Sequence, residues 1–95
     1  MKHTIEDAKL LLQFLKNIVS DKAELIGSFG KGKKTSKHDI DVLIPDRKKT
    51  RKFKSHLMLL FNAESCEDTD WGGWYFKGTL FGNVDIFFTT KNFDY

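Results

Sequence analysis

The segment that most constrains the fold is Asp39-Ile40-Asp41-Val42-Leu43-Ile44, in which two carboxylates interrupt an otherwise apolar run. Side chains of a β-strand alternate between its faces, so Asp39 and Asp41 would share one face and the branched apolar residues the other. Aspartate is uncommon in strands, and like charges side by side on one face repel each other. The arrangement costs stability, so we interpret the two aspartates as parts of a functional site.

A flexible segment precedes this strand and is rich in glycine and lysine: Gly27-Ser28-Phe29-Gly30-Lys31-Gly32-Lys33-Lys34. Its backbone N–H groups and positive charge are suited to binding phosphate. The pattern predicts a short helix over about residues 28 to 34, with its N-terminus facing the group that the glycines surround. The order of the two segments therefore predicts phosphate binding followed by metal binding.

Helical spacing of apolar residues predicts a first helix over about residues 5 to 20. Thr4, with Asp7 three residues later, resembles a capping box that would satisfy free backbone N–H groups at the start of this helix. A short strand, Ala23-Glu24-Leu25-Ile26, is expected to follow and to deliver the chain to Gly27.

A second helix is expected after Pro45, because proline cannot continue the hydrogen-bonded ladder of the preceding strand. We expect Asp46 to cap this helix, which would continue to about Asn62. Its apolar residues fall on one face: Phe53, Leu57, Leu60 and Phe61.

Beyond Glu64, glycines separate short apolar runs, a pattern typical of hairpins. Trp71-Gly72-Gly73-Trp74 predicts a tight turn flanked by the two tryptophans, and Phe81-Gly82-Asn83-Val84 marks a second hairpin. The last strand is expected at Val84-Asp85-Ile86-Phe87-Phe88. Together the elements predict a single α+β domain over residues 1–95, a small mixed β-sheet with helices packed on one face.

Composition narrows the class of protein. Of the 95 residues, 40% are hydrophobic and 31% are charged, which fits a globular domain with one modest core. No apolar run has membrane-spanning length, and the N-terminus lacks the apolar core of a signal peptide. A single cysteine cannot form an internal disulfide, as is usual in reducing compartments. We therefore expect a cytoplasmic protein without a membrane partner.

Asp85 is a third carboxylate inside an apolar strand, as Asp41 is. If the two strands lie near each other, Asp39, Asp41 and Asp85 converge on one open face of the sheet. Two carboxylates about 4 Å apart repel by roughly 4 kcal/mol at an effective dielectric constant of about 20, so three need cations or protons. Ligand sets made only of oxygen suit Mg²⁺ or Mn²⁺ rather than Zn²⁺.

These features resemble the nucleotidyltransferase superfamily that includes DNA polymerase beta: Gly27-Ser28, then Asp39-Ile40-Asp41, then Asp85 in a later strand. The glycine-rich segment and the strand around Asp85 look most like the palm domain of X-family DNA polymerases. The ten residues between Ser28 and Asp39 match the gap that is usual in minimal nucleotidyltransferases. The resemblance covers about residues 23 to 90.

What the resemblance implies is a polymerase beta palm-like fold and transfer of a nucleoside monophosphate from an NTP or dNTP to a hydroxyl acceptor. Asp39 and Asp41 would hold two metal ions, Mg²⁺ or Mn²⁺, and Asp85 only the ion that activates the attacking hydroxyl. Gly27 and Ser28 would hold the terminal phosphates. Lys31 falls where X-family polymerases often have an arginine, so the charge is kept and bidentate recognition is weakened.

Partners also follow from the resemblance. X-family polymerases carry a further subdomain after the palm, and minimal nucleotidyltransferases commonly act beside a helical partner chain. A palm-like catalytic domain that needs a partner or a further domain is therefore implied, with nucleic acid, protein or a small molecule as acceptor. Two alternatives remain open: a non-catalytic nucleotide- or nucleic-acid-binding module, and an antitoxin-type interaction protein of a toxin–antitoxin pair.

Other conspicuous residues have simpler interpretations. The basic cluster from Arg47 to Lys54 is interpreted as a solvated helix face, with a nucleic-acid or partner patch as the alternative, and we expect it to lie away from the metal site. The aromatic residues could stack on bases, but core and hairpin packing explains them more simply. They are Trp71, Trp74, Tyr75 and Phe76.

The three histidines are not expected to take part in catalysis. His3 and His56 have no partners by spacing and are expected on the surface. His38 is adjacent to Asp39, so it would point away from the carboxylate face, and we interpret it as a loop residue rather than a catalytic base.

Overall fold

The computed structural model describes residues 3–37, 39–70 and 72–89, and shows a small α+β protein with a mixed sheet. His38 and Trp71 lie outside the described residues. The elements, in chain order, are β1 (His3–Thr4), α1 (Ile5–Ile18), β2 (Glu24–Ile26), α2 (Gly27–Gly30), β3 (Thr35–Ser36), β4 (Ile40–Leu43), α3 (Arg51–Phe61), β5 (Ser65–Asp68), β6 (Trp74–Thr79) and β7 (Gly82–Phe87).

The main sheet has five strands in the order β2-β4-β7-β6-β5. Strands β4 and β7 are parallel, and the other neighbouring pairs are antiparallel. The predicted mixed sheet is therefore confirmed. The parallel pair at its centre requires a crossover, which α3 and the β5–β6 hairpin provide.

Helix α1 forms as its sequence predicts and ends two residues earlier than expected, at Ile18. The side-chain oxygen of Thr4 accepts a hydrogen bond from the backbone N–H of Asp7 at 3.2 Å, so the predicted cap is present. Ala8, Leu11 and Leu15 are buried, and their spacing defines the face that packs on the sheet.

The predicted start and cap of α3 are wrong. The helix begins at Arg51, and Thr50 is its N-cap, accepting a hydrogen bond from the N–H of Phe53 at 3.2 Å. The Asp46 carboxylate instead accepts a hydrogen bond from the Ser20 hydroxyl at 2.6 Å, which ties the loop after β4 to the end of α1. Both residue types are good caps, so tertiary contacts decide which one is used.

Both long helices cover one face of the sheet. Phe53, Leu57 and Phe61 of α3 join the α1 residues in a single core with alternate residues of the central strands. Those strand residues are Ile40, Val42, Trp74, Phe76, Val84 and Ile86. The opposite face carries the carboxylates together with a second apolar cluster of Ile26, Leu43 and Phe87.

The predicted hairpins form with different turns. Strands β5 and β6 are joined by residues 69–73, a longer loop than the expected tight turn, in which the Thr69 hydroxyl accepts a hydrogen bond from the N–H of Gly73. Gly72 has a positive φ of 82°. The second hairpin joins β6 to β7 through Leu80 and Phe81, with Thr79 paired to Gly82.

The helix predicted over residues 28 to 34 is a single turn, α2, and the chain then forms β3, which pairs with β1. Gly32 accounts for the early end, and Gly30 allows α2 to pack closely on β2. Gly32 has a positive φ of 88°, and a Cβ on Gly30 would lie 2.7 Å from the carbonyl oxygen of Leu25. Among the described residues, no helix combines the length and hydropathy needed to cross a bilayer.

Candidate active site

Asp41 and Asp85 lie opposite each other on the two parallel strands at the centre of the sheet. The β4–β7 register pairs Ile40 with Val84 and Asp41 with Asp85. Since the apolar partners face the helices, the two carboxylates point to the other face. The condition stated for convergence of the carboxylates, that the two strands lie near each other, is therefore met.

The carboxylates of Asp39, Asp41 and Asp85 form one electrostatic unit, which we call the aspartate cluster. The pKa of Asp85 is raised from 3.8 to about 8, chiefly by burial and further by the hydrogen bonds and negative charges of Asp41 and Asp39. Asp85 is 9% exposed. At neutral pH its carboxyl group therefore holds a proton, which relieves part of the repulsion among the three groups.

Gly27 brings the backbone into contact with this cluster. It follows Ile26, which pairs with Asp41 in the β2–β4 register. Gly27 has a positive φ of 65°, and a Cβ built on it would collide with Oδ2 of Asp41. Only glycine combines this conformation with so close an approach, so the backbone at Gly27 forms one wall of the site.

Ser28 and Lys31 lie on the single turn that starts at Gly27. Ser28 is half-buried, and its carbonyl oxygen accepts hydrogen bonds from the N–H groups of Lys31 and Lys33 at 3.2 and 3.1 Å. Lys31 is the exposed C-cap of α2. The predicted site residues that the structure brings into direct proximity are thus the aspartates and Gly27, with Ser28 next in the chain.

An open groove of about 310 Å³ lies beside the aspartate cluster and is lined by Asp39, Asp85, Tyr75 and acidic residues of the β5–β6 hairpin. Tyr75 pairs with Asp85 across β6 and β7. Burial raises the pKa of the Tyr75 hydroxyl, and the charges of Asp39, Asp85 and Glu67 raise it further. The hydroxyl therefore stays protonated and can donate a hydrogen bond in the groove.

Sequence reasoning did not place Tyr75 or Glu67 in the site. Alternation along β6 could have indicated Tyr75, because its neighbours Trp74 and Phe76 are buried on the helix face. Core packing, favoured for the aromatic residues, is confirmed for Trp74 and Phe76, whereas Tyr75 is half-buried on the carboxylate side. Glu67 could not be found in this way, since its position depends on the β5–β6 register.

The basic cluster lies mainly on the helix side of the sheet, but one member reaches the rim of the groove. Lys49 forms an ion pair of 3.2 Å with Asp68, which lines the groove, and this contact lowers the pKa of Asp68. The Arg47 guanidinium stacks over the Phe53 ring at 4.7 Å from its centroid. We expected the whole basic cluster to lie away from the metal site, and Lys49 is an exception because it reaches the groove beside the aspartate cluster.

One expectation about the histidines is wrong. His3 is buried, with 5% of its surface exposed, because β1 packs its side chain against the backbone of Gly82. His56 is exposed on α3, as expected.

A metal ion is suited to the donor chemistry of the aspartate cluster, which offers only carboxylate oxygens, the ligands preferred by Mg²⁺ and Mn²⁺. The proton held by Asp85 also indicates a site in which the negative charges of the carboxylates are not neutralised by nearby cations. Within the part of the chain that the structure describes, no three His, Cys, Asp or Glu side chains have the arrangement of a metal-ion site.

Comparison with known proteins yields no relative: no family model, no curated protein and no solved structure matches the chain.

Proposed function

We propose that this chain is a cytoplasmic, metal-dependent nucleotidyltransferase that transfers a nucleoside monophosphate from an NTP or dNTP to a hydroxyl group. The observation that carries the proposal is the pairing of Asp41 with Asp85 on adjacent parallel strands, with Asp39 directly before β4. Carboxylates so placed cost stability, and that cost is explained if they bind cations.

The proposal gives each site residue a role. Asp39 and Asp41 would hold two divalent ions, and Asp85 would contribute to only one of them, beside the attacking hydroxyl. Gly27 and Ser28 would face the terminal phosphates, and Lys31 would supply positive charge to them. The ions would lower the pKa of the attacking hydroxyl and stabilise charge on the leaving phosphate oxygens.

Proton and metal would compete for the same carboxylates. In the described conformation Asp85 shares a proton with its neighbours, so metal binding would release that proton and turn the side chains toward the ion. The fold proposed for the chain is the palm-like nucleotidyltransferase fold, and a helical partner chain or a further domain would complete the acceptor site.

Nucleotide binding in the presence and absence of metal tests the proposal. Calorimetric titration with an NTP should show binding with Mg²⁺ or Mn²⁺, no binding in chelator, and none in the double variant Asp39→Asn/Asp41→Asn. Asp21→Asn, at an exposed turn between α1 and β2, is the matched control and should bind as the wild type does. Undiminished binding in the double variant or in chelator would overturn the proposed site.

A screen for the acceptor would follow, with labelled nucleotides, DNA primers and co-purified proteins. The alternative of a non-catalytic binding module gains support if metal-dependent binding is found without product for any acceptor. An interaction protein of a toxin–antitoxin pair would bind its partner in chelator as well as in Mg²⁺.

A further inference from the structure

A groove of about 480 Å³ lies between helix α3 and the loop that precedes it, and we call it the α3 groove. Part of its lining recurs at helical spacing on the exposed side of α3: Lys52, Ser55, His56 and Leu59. The loop contributes Arg47 and Thr50, and the nearly buried Phe53 completes the lining. Because Phe53, Leu57 and Phe61 pack into the core, the α3 groove lies on the helix side of the sheet.

The charge of the α3 groove is positive, since none of the described residues that line it is acidic. Arg47 and Lys52 carry that charge, and the neighbouring Lys48 and Arg51 are exposed as well. The first turn of α3 has no acidic residue, so these cations stand where the helix macrodipole is also positive. The arrangement costs stability, and a bound anion would be attracted by the side chains and the dipole together.

Arg47 is held in place before any ligand binds. Its guanidinium stacks over the Phe53 ring at 4.7 Å from the centroid, and Nη1 donates a hydrogen bond of 3.4 Å to the carbonyl oxygen of Val19. A guanidinium has five N–H donors, so others remain for a ligand. Fixing this group beforehand reduces the conformational entropy that binding would cost.

The neutral polar groups of the α3 groove can also donate hydrogen bonds. The Thr50 oxygen accepts the capping hydrogen bond from the N–H of Phe53, which leaves the Thr50 O–H as a donor. Ser55 adds a second hydroxyl group, and the exposed His56 adds an imidazole N–H. Arginine, lysine and hydroxyl side chains close to a helix N-terminus are the usual contacts of proteins to nucleic-acid phosphates.

Two features favour a single-stranded nucleic acid as the ligand. Every charged residue from 47 to 54 is basic, which matches a chain with one negative charge per nucleotide, whereas a protein segment would need an unbroken run of acidic residues. Leu59 lines the same groove and is 83% exposed. It offers an apolar surface to an unpaired base, and a duplex keeps its bases stacked inside.

We propose that the α3 groove binds the backbone of a single-stranded nucleic acid. Arg47, Lys52 and the two hydroxyl groups bind phosphates, and Leu59 contacts a base. The aspartate cluster lies on the opposite face of the sheet, so this binding requires neither metal nor NTP. It is a binding activity in addition to the transfer reaction proposed above.

The test is titration of a labelled single-stranded oligo(dT) in chelator, followed by fluorescence anisotropy. Lys52→Ala should weaken binding about fivefold and reduce the slope of log affinity against log salt by about 0.7, because one phosphate contact is lost. Ser55→Ala should weaken binding about threefold without changing that slope, since a hydroxyl group releases no counterions. Both side chains are exposed, so neither replacement removes core packing.

Lys9→Ala is the matched control for Lys52→Ala, because Lys9 is an exposed lysine of α1 outside the α3 groove. It should keep the affinity and the salt slope of the wild type. Equal losses in Lys9→Ala and Lys52→Ala would mean attraction by net charge alone. That result, or unchanged oligo(dT) affinity in Lys52→Ala, would overturn the proposal, as would a wild type that does not bind the probe.

Competition identifies the class of ligand. Unlabelled oligo(dT) should displace the probe, whereas a DNA duplex of the same length and a poly-glutamate peptide of equal charge should displace it much less. Equally effective displacement by the peptide overturns the assignment to nucleic acid, and by the duplex overturns the assignment to a single strand. All these measurements are made without metal. Failure of metal-dependent NTP binding therefore leaves their outcome intact, and the two proposals fail separately.

Discussion

Asp41 and Asp85 face each other across the only parallel strand pair in the described sheet, and they share one proton at neutral pH. The proton follows from their position, because burial and a neighbouring carboxylate both disfavour ionisation of Asp85. A protein that gained nothing from this pair could replace it with neutral side chains and be more stable.

The pH dependence of stability should report this pair. The pKa of Asp85 is about 8 in the folded protein, against an ordinary value of 3.8. Between these values the folded chain holds a proton that the unfolded chain has released, so this group makes the free energy of unfolding fall as pH rises. Urea unfolding in chelator should show that fall between about pH 4 and about pH 8, and Asp85→Asn should reduce it.

Asp21→Asn is the control for this prediction, because it also removes one carboxylate but at an exposed turn. It should keep the slope of the wild type. If Asp85→Asn keeps that slope as well, Asp85 is ionised in the folded protein and the shared proton does not exist.

The alternation of residues around Asp41 was sufficient to predict which face carries the carboxylates, because the side-chain period of a strand is fixed by geometry. The position of Asp85 relative to Asp41 could be stated only as a condition. Nothing local specifies which strands pair across a crossover, since packing of the whole core decides it.

Two failures of prediction have the same physical origin. Asp46 and Thr50 are both good N-caps, and the choice between them depends on the Ser20 hydroxyl, which is distant in sequence. His3 was expected on the surface, but contact with Gly82 in the last hairpin buries it. That contact joins two ends of the described chain, so the residues around His3 give no sign of it. Contacts between distant parts of the chain are not visible in local sequence patterns.

Gly27→Ala should damage both stability and nucleotide binding. The positive φ of Gly27 costs about 1–2 kcal/mol for a residue with a Cβ. The collision with Asp41 should add about 1–3 kcal/mol and displace that carboxylate. Chemical denaturation and NTP titration with Mg²⁺ measure the two effects.

Gly72→Ala provides the matched control for Gly27→Ala. Gly72 also has a positive φ, but a Cβ there would point into space that the described residues leave open. Gly72→Ala should lose only the stability that the left-handed conformation costs a residue with a Cβ, without the cost of a collision, and its NTP affinity should be unchanged. Equal NTP affinity in the two variants would mean that the approach of Gly27 to Asp41 has no part in binding.

Charge reversal in the basic cluster should lower the affinity for nucleic acid more than the affinity for nucleotide. Lys48, Arg51 and Lys52 are exposed and suit this test, whereas Arg47 stacks on Phe53 and Lys49 pairs with Asp68. Replacing the three by glutamate should weaken binding to single-stranded DNA and flatten its dependence on salt. An equal loss of NTP affinity would contradict the separation of this patch from the aspartate cluster.

The most direct test of the central claim separates binding from chemistry at Asp85. Asp39 and Asp41 are proposed to hold the metal that carries the triphosphate, and Asp85 only the metal beside the attacking hydroxyl. The measurement is NTP titration with Mg²⁺ beside product formation, in the wild type, Asp85→Asn and Asp41→Asn. We predict that Asp85→Asn keeps its NTP affinity and loses turnover by about 10²-fold or more. Loss of NTP affinity in Asp85→Asn as large as that in Asp41→Asn would contradict the account.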